Sequence, residues 1–159
     1  MYRFQPLPSA ILVIALCASS AVDAQTPDGY ARASAGTREI TLGSGTAIKL
    51  LLEASNLGDS GIEVGEIVFP TGTNPAGGHR HGSTEIFYVV EGVLGHVVNG
   101  VDYRLEPGMV GVVKPGDEIT HRVLSDIPVR ALVLWLPGGE ADRIAQADLW
   151  TMIPPGFFE

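Results

Sequence analysis

Three histidines and one carboxylate carry the chemistry that this sequence offers. His79 and His81 stand one residue apart, Glu85 follows them, and His121 lies further along the chain. Imidazole nitrogen and carboxylate oxygen are donors that first-row transition metals accept. In an extended strand alternate side chains share a face, so His79 and His81 point the same way. Glu85 has the same parity, but a straight strand from His79 would carry it roughly 20 Å along the axis. One ion needs each donor atom at roughly 2.0–2.2 Å. The chain must therefore bend before Glu85, and Gly82-Ser83 is where it can. His121 would then arrive from a later strand lying alongside. A plainer reading stays open on these residues alone, because histidines also serve as structural or surface residues. Arg80 alternates to the other face and reads as solvated.

The elements that must position these groups are short strands. Glu39–Leu42 and Ala47–Ala54 read as two strands around the Gly43-Ser44-Gly45 turn, with a short helix as the alternative for 47–54. Gly61–Phe69 is extended and closed by Pro70, and the Thr71–Gly78 loop leads directly into His79. Glu85–Glu91, Val93–Val98, Val101–Leu105, Met109–Val113, Ile119–Leu124 and Val129–Leu136 follow as strands. Asn99-Gly100 between two of them is a strong hairpin signal. Many short strands at close spacing predict an all-β barrel or sandwich. Crossover helices are absent from the pattern, which argues against a parallel α/β sheet. After Pro137-Gly138-Gly139 the period changes, and Glu140–Leu149 reads as a helix with Glu140 and Asp142 in its first turn. The apolar tail to Phe158 reads as a segment that packs on something.

The two ends and the composition bound the setting. Residues 1–24 have the form of an export signal: Arg3, then the apolar run Ala10–Ala18, then Val22-Asp23-Ala24 before a cut that leaves Gln25 first. The run is too short to span a bilayer comfortably. Residues 25–38 read as a flexible leader. The chain has one cysteine, Cys17, and it falls within the signal, so the exported part would carry neither disulfide nor thiol chemistry. The net charge of −8 is spread without long runs, which argues against nucleic acid and anionic membrane surfaces as partners.

With these residues in place, the sequence resembles a small single-domain cupin. The first motif of that family has the form G-x5-H-x-H-x(3,4)-E-x6-G. His79-Arg80-His81, then Glu85, then Gly92 fit it, with Thr73 at the first glycine position and Gly72 beside it. The second motif, G-x5-P-x-G-x2-H-x3-N, is matched more loosely by Gly108, Pro115-Gly116 and His121. The Pro-Gly pair is adjacent, two extra residues precede the histidine, and Ser125 stands for the asparagine. The resemblance implies a double-stranded β-helix, a jelly-roll barrel over 39–137, followed by a short C-terminal helix and tail over 138–159. It implies His79, His81, Glu85 and His121 as ligands of one divalent transition metal: Mn, Fe, Co, Ni, Cu or Zn. His96 shares a face with Leu94 and would look into the barrel as a candidate acid/base. Phe87, Val89 and Leu94 would line the pocket.

The expected function is that of an exported metal-dependent enzyme acting on a small organic molecule. Dioxygenase-type chemistry comes first by resemblance, isomerase or lyase chemistry second. The alternative is a non-catalytic module that binds a small molecule or sugar. The expected location is periplasmic or secreted, and the expected assembly a homodimer. One scaffold hosts many chemistries, so fold alone does not choose among them.

Overall fold

The structure, a computed structural model, describes residues 34–154; the expected export signal, most of the leader and the last five residues of the tail lie outside them. The elements in chain order are β1 (Arg38–Thr41), β2 (Ala47–Leu52), α1 (Ala54–Leu57), β3 (Glu63–Phe69), β4 (His79–Arg80), β5 (Thr84–Glu91) and β6 (Leu94–Val98). Then come β7 (Val101–Leu105), β8 (Val110–Val113), β9 (Glu118–Val123), β10 (Val129–Leu136), α2 (Ala141–Ile144), a 3₁₀ turn (Ala147–Leu149) and β11 (Thr151–Met152). They form an all-β sandwich of the jelly-roll kind. One sheet runs β11-β1-β2-β3-β10-β5-β8 and the other runs β4-β9-β6-β7.

Strict alternation builds the core. Along β3 the buried positions are Glu63, Gly65, Ile67 and Phe69, and along β10 they are Val129, Ala131, Val133 and Trp135. Antiparallel register sets Val133 opposite both Gly65 and Phe87, so the inward residues of three strands meet in one layer. The absence of a side chain at Gly65 makes room there: a Cβ would come 3.3 Å from Val133 and 3.5 Å from the Trp135 ring. Leu50, Val89, Leu94 and Leu105 complete the apolar interior from the other strands.

The turns follow their sequence signals. Asn99 and Gly100 both have positive φ, 50° and 80°, and join β6 to β7, as an Asn-Gly hairpin requires. Gly92 has φ +76°, and a Cβ there would stand 2.6 Å from the Pro128 carbonyl and 3.0 Å from Ser125 Oγ. The Ser125 hydroxyl in turn accepts from Val93 N–H at 3.0 Å. Gly92→Ala is therefore expected to lower stability by more than about 1 kcal/mol, since the new methyl meets backbone in a conformation disfavoured for alanine. A urea midpoint equal to that of the parent protein would count against this packing.

The structure differs from the sequence expectations at both ends of the barrel. The Ala47–Ala54 stretch divides, a strand to Leu52 and then the single turn α1. The leader is not loose up to residue 38: Thr37 N–H donates to the Leu50 carbonyl, and Arg38 opens β1 and bridges Glu53 at 2.9 Å and Asp142 at 2.7 Å. The helix expected over Glu140–Leu149 is only the four residues of α2. Ala145 is already extended, and Trp150 turns back to bury itself in the core. The chain then adds β11 to the edge of β1 through Arg38↔Met152 and Glu39↔Thr151. The tail thus contributes a strand as far as it is described. Among the described residues no helix is long and apolar enough to cross a membrane.

Candidate metal centre

The two sheets and the bend between them bring the four expected side chains to one place. β4 pairs with β9 through His79↔Ile119, which sets His79 close to His121 two residues on. His81 follows β4, the chain bends at Gly82 and Ser83, and β5 carries Glu85 in the opposite sheet. The donors therefore reach the interior from both layers and from the corner that joins them. His79 Nε2 lies 3.0 Å from His81 Nε2, His81 Nε2 lies 2.7 Å from Glu85 Oε2, and His121 Nε2 lies 3.7 Å from Glu85 Oε1. Donors sharing one ion at about 2.1 Å stand about 3.0–3.4 Å apart, so these separations bracket that range. Glu85 Oε1 and His121 Nε2 are buried without a hydrogen-bond partner. Two buried polar atoms that face each other without a partner are costly unless something between them satisfies both. The donor set thus fits a divalent transition ion. Among the described residues no three His, Cys, Asp or Glu side chains stand, as placed, in an arrangement that holds a metal ion; His81 Nε2 and Glu85 Oε2, at 2.7 Å, are closer than two donors sharing one ion.

Further polar groups hold the donors. Trp135 donates Nε1–H to Glu85 Oε2 at 2.8 Å, across the β10–β5 pair in which the two residues stand opposite. His81 Nδ1 lies 2.9 Å from Glu140 Oε1. The Ser83 hydroxyl, at the bend itself, donates to the Pro137 carbonyl at 2.7 Å and has Glu140 Oε2 at 3.1 Å. Trp135, Ser83 and Glu140 escape a reading of the sequence. Trp135 and Ser83 look like ordinary core and turn residues, and Glu140 sits beyond the last long strand with no motif around it.

Electrostatics sort the histidines. Burial lowers the pKa of His121 well below its ordinary value, and the charges of His96, His79 and His81 add to this. Burial likewise lowers His96, against a pull from Glu85, and lowers His79, where His81 adds to the effect. For His81 burial also lowers, but hydrogen bonds and charge from Glu85 and then Glu140 outweigh it, and the pKa is raised. The carboxylates that favour a proton on this ring also favour a cation beside it. A histidine buried neutral stabilises the fold above its unfolded pKa, about 6.5, and that contribution is lost as pH falls through the folded value. His81 acts in the opposite sense: its contribution is complete below about 6.5 and fades as pH rises through its raised pKa. Three groups oppose one, and among them His121 is the one held well below its ordinary value. The metal-free protein, in chelator, is therefore expected to have a lower urea midpoint at pH 5 than at pH 7.5. An equal or higher midpoint at pH 5 would show that these rings are not held neutral.

The four donors open into a cavity of about 220 Å³. Its walls are largely apolar, with Ile67, Phe69, Phe87 and Trp135 deep and Leu42 and Ile144 from the flanking segments. Among the described residues the only titratable side chains lining it are His79, His81, Glu85 and His121. Phe87 lines the cavity as expected. Val89 and Leu94 do not: both are fully buried and belong to the closed core, because they lie further along their strands from the open end. His96 is also placed differently from the expectation. It stands opposite His121 in the β6–β9 pair, with ring centres 5.5 Å apart, but lines a separate cleft with Tyr103, Leu105 and Gly111. Phe87 and His121 stand between the two spaces. Both ring nitrogens of His96 are buried without a partner.

Comparison with known proteins agrees with this architecture. The Cupin domain family model matches residues 65–135. Among solved structures, an RmlC-like cupin from Shewanella frigidimarina is similar at 24% identity and TM-score 0.53, over 66% of this chain and 87% of that one. The EutQ protein of Clostridium difficile is similar at 18% identity and TM-score 0.54, over 64% and 69%. A structure of the DMSP lyases RdDddP and RnDddQII is similar at 26% identity and TM-score 0.53, over 61% of this chain and 50% of that one. No curated protein matches the chain. With the family match spanning β3 to β10 and the sandwich built as described, residues 65–135 form a small cupin domain.

Proposed function

We propose that this cupin is an exported, metal-dependent enzyme acting on a compact, mostly apolar molecule that presents oxygen donors. The observation that carries the reading is the pair of orphaned atoms, Glu85 Oε1 and His121 Nε2, facing each other 3.7 Å apart at the end of an apolar cavity. His79, His81, His121 and Glu85 would hold the ion. A bound divalent ion supplies Lewis-acid polarisation and a template for oxygen donors. The chain's own residues do the rest. Ile67, Phe69 and Phe87 exclude water and grip an apolar body, and Trp135 fixes the Glu85 carboxylate. A cavity of about 220 Å³ lies below the usual range for drug-sized ligands, which favours a small substrate. With no lysine or arginine lining it among the described residues, the cavity favours substrates whose charge, if any, sits at the ion.

Dioxygenase-type cleavage is the first reaction in this reading and isomerase or lyase chemistry the second. The likeness to structures described as DMSP lyases supports keeping lyase chemistry in view. The alternative, a binding module without turnover, uses the same cavity. Export would follow from the N-terminal signal. Pairing of two copies is supported by Val101, Tyr103, Val110 and Val112, exposed on the outer strands β7 and β8.

The test is to load the purified protein with each candidate metal and offer enolic and phenolic substrates with and without dioxygen. Turnover is expected in the parent protein and is expected to vanish in His81→Ala. Unchanged activity in that variant would reject the mechanism. A ligand seen by calorimetry with no product by mass spectrometry would move the protein to the binding class.

A further inference from the structure

His81 differs from the other histidines of the centre in what lies behind it. Its outer nitrogen, Nδ1, meets the carboxylate of Glu140 at 2.9 Å. Among the described residues neither His79 nor His121 has a carboxylate hydrogen-bonded to its Nδ1. Glu140 is 3% exposed and belongs to the segment after the barrel, 59 residues from His81. Burying a carboxylate is costly unless it gains a charged or strongly donating partner. A neutral side chain would tether the segment at smaller cost, so the choice of a carboxylate points to the two groups it meets, Arg143 on one oxygen and the buried His81 imidazole on the other.

The position of Glu140 is set independently of His81. Ala141 N–H donates to Glu63 Oε2 at 3.0 Å, and Gly138 N–H donates to the Ser60 carbonyl at 3.0 Å. Arg143 closes the other side at 2.6 Å from Glu140 Oε2. The carboxylate is thus clamped before it meets the ring. An imidazole that donates Nδ1–H to a fixed carboxylate keeps Nε2 as its lone-pair nitrogen, points it in one direction and makes it more basic. Nε2 of His81 is the atom that faces Glu85 and His79.

We propose that Glu140 is a positioning residue for the metal centre, holding His81 by Nδ1–H so that Nε2 is presented to the ion. The assignment rests on the reading of His79, His81, Glu85 and His121 as ligands. It makes the Glu140 carboxylate part of the functional unit, whereas Glu63, at the head of β3, touches only the backbone of the segment at Ala141 N–H and lies outside that unit.

The experiment compares the parent protein with Glu140→Gln and Glu63→Gln. Each is titrated with Co²⁺ or Zn²⁺ against a competing chelator, and the unfolding of each metal-free protein is measured alongside. The parent is expected to bind one equivalent. Glu140→Gln keeps the shape and the contact to Ser83 but loses the charge, and is expected to bind about 10–100-fold more weakly. Glu63→Gln weakens the tether without touching His81, and is expected to bind as the parent does even where it lowers stability. Glu140→Asp provides the same titration should the glutamine variant fail to fold; its shorter reach is expected to weaken binding as well. Equal affinity in the Glu140 variants would overturn the proposal. So would an equal loss in Glu63→Gln, which would reduce Glu140 to a tether. Failure of the parent protein to bind metal would remove the ligand assignment itself, and this role with it.

Discussion

His121→Ala is expected to abolish stoichiometric metal binding while leaving the barrel folded. His121 is the one candidate ligand supplied by a central strand of the four-stranded sheet, since β9 lies between β4 and β6. Its ring is buried, its pKa is held low first by burial, and its Nε2 lacks a partner although Glu85 Oε1 stands opposite. Removing it leaves Glu85 Oε1 facing an empty corner and takes one of four donors from the set. Losing a supporting contact typically costs about 10–100-fold in affinity, and the loss of a ligand itself is expected to exceed that range. His96→Gln is the matched control. His96 lies beside His121 but lines the other cleft, so its replacement is expected to leave stoichiometry at one ion per chain. Chelator competition on the two variants measures both effects. Parent-like binding in His121→Ala, or equal loss in His96→Gln, would contradict the assignment.

Trp135→Ala is expected to lower stability by about 3–5 kcal/mol, as other buried aromatic truncations do. Trp135 is 1% exposed and packs in the core layer formed by β3, β10 and β5. It also donates to Glu85 Oε2, so core and site share one side chain. Trp135→Phe separates the two roles. It retains most of the ring but leaves a buried carboxylate oxygen short of a donor, a change expected to cost about 1–3 kcal/mol and to weaken metal binding. Urea unfolding and metal titration of the same preparations report on each. A phenylalanine variant unchanged in both would show that the hydrogen bond contributes neither to the fold nor to the site.

The strands and their turns can be read directly from the chain, because alternation and turn chemistry are local. Val101–Leu105 and Val129–Leu136 have the bounds expected of them, and Asn99-Gly100 makes the hairpin its dipeptide signals. The nearness of the candidate side chains is legible for a related reason. His79, His81 and Glu85 share parity, and the distance limit for one ion requires a bend that the structure places at Gly82-Ser83. What escapes depends on long-range packing. The apolar periodicity of Glu140–Leu149 suggests one helix, yet burial of Trp150 and the pairing of β11 with β1 stop it after one turn. Glu140 has the look of a dipole-complementing surface residue, and only the fold reveals His81 in front of it. Parity places Val89 and Leu94 on the inward face correctly, but parity does not say how far along a strand the cavity ends. His96 faces inward too, and the rings of Phe87 and His121 decide which space it reaches.

Four side chains from two sheets and their connecting bend are proposed to hold a single ion. Anomalous diffraction from crystals of the metal-loaded protein, recorded on both sides of the metal's absorption edge, tests this most directly. One peak per chain is expected, within roughly 2.0–2.2 Å of Nε2 of His79, His81 and His121 and of a carboxylate oxygen of Glu85. No peak there, or a peak elsewhere with these four groups unliganded, would contradict the proposal.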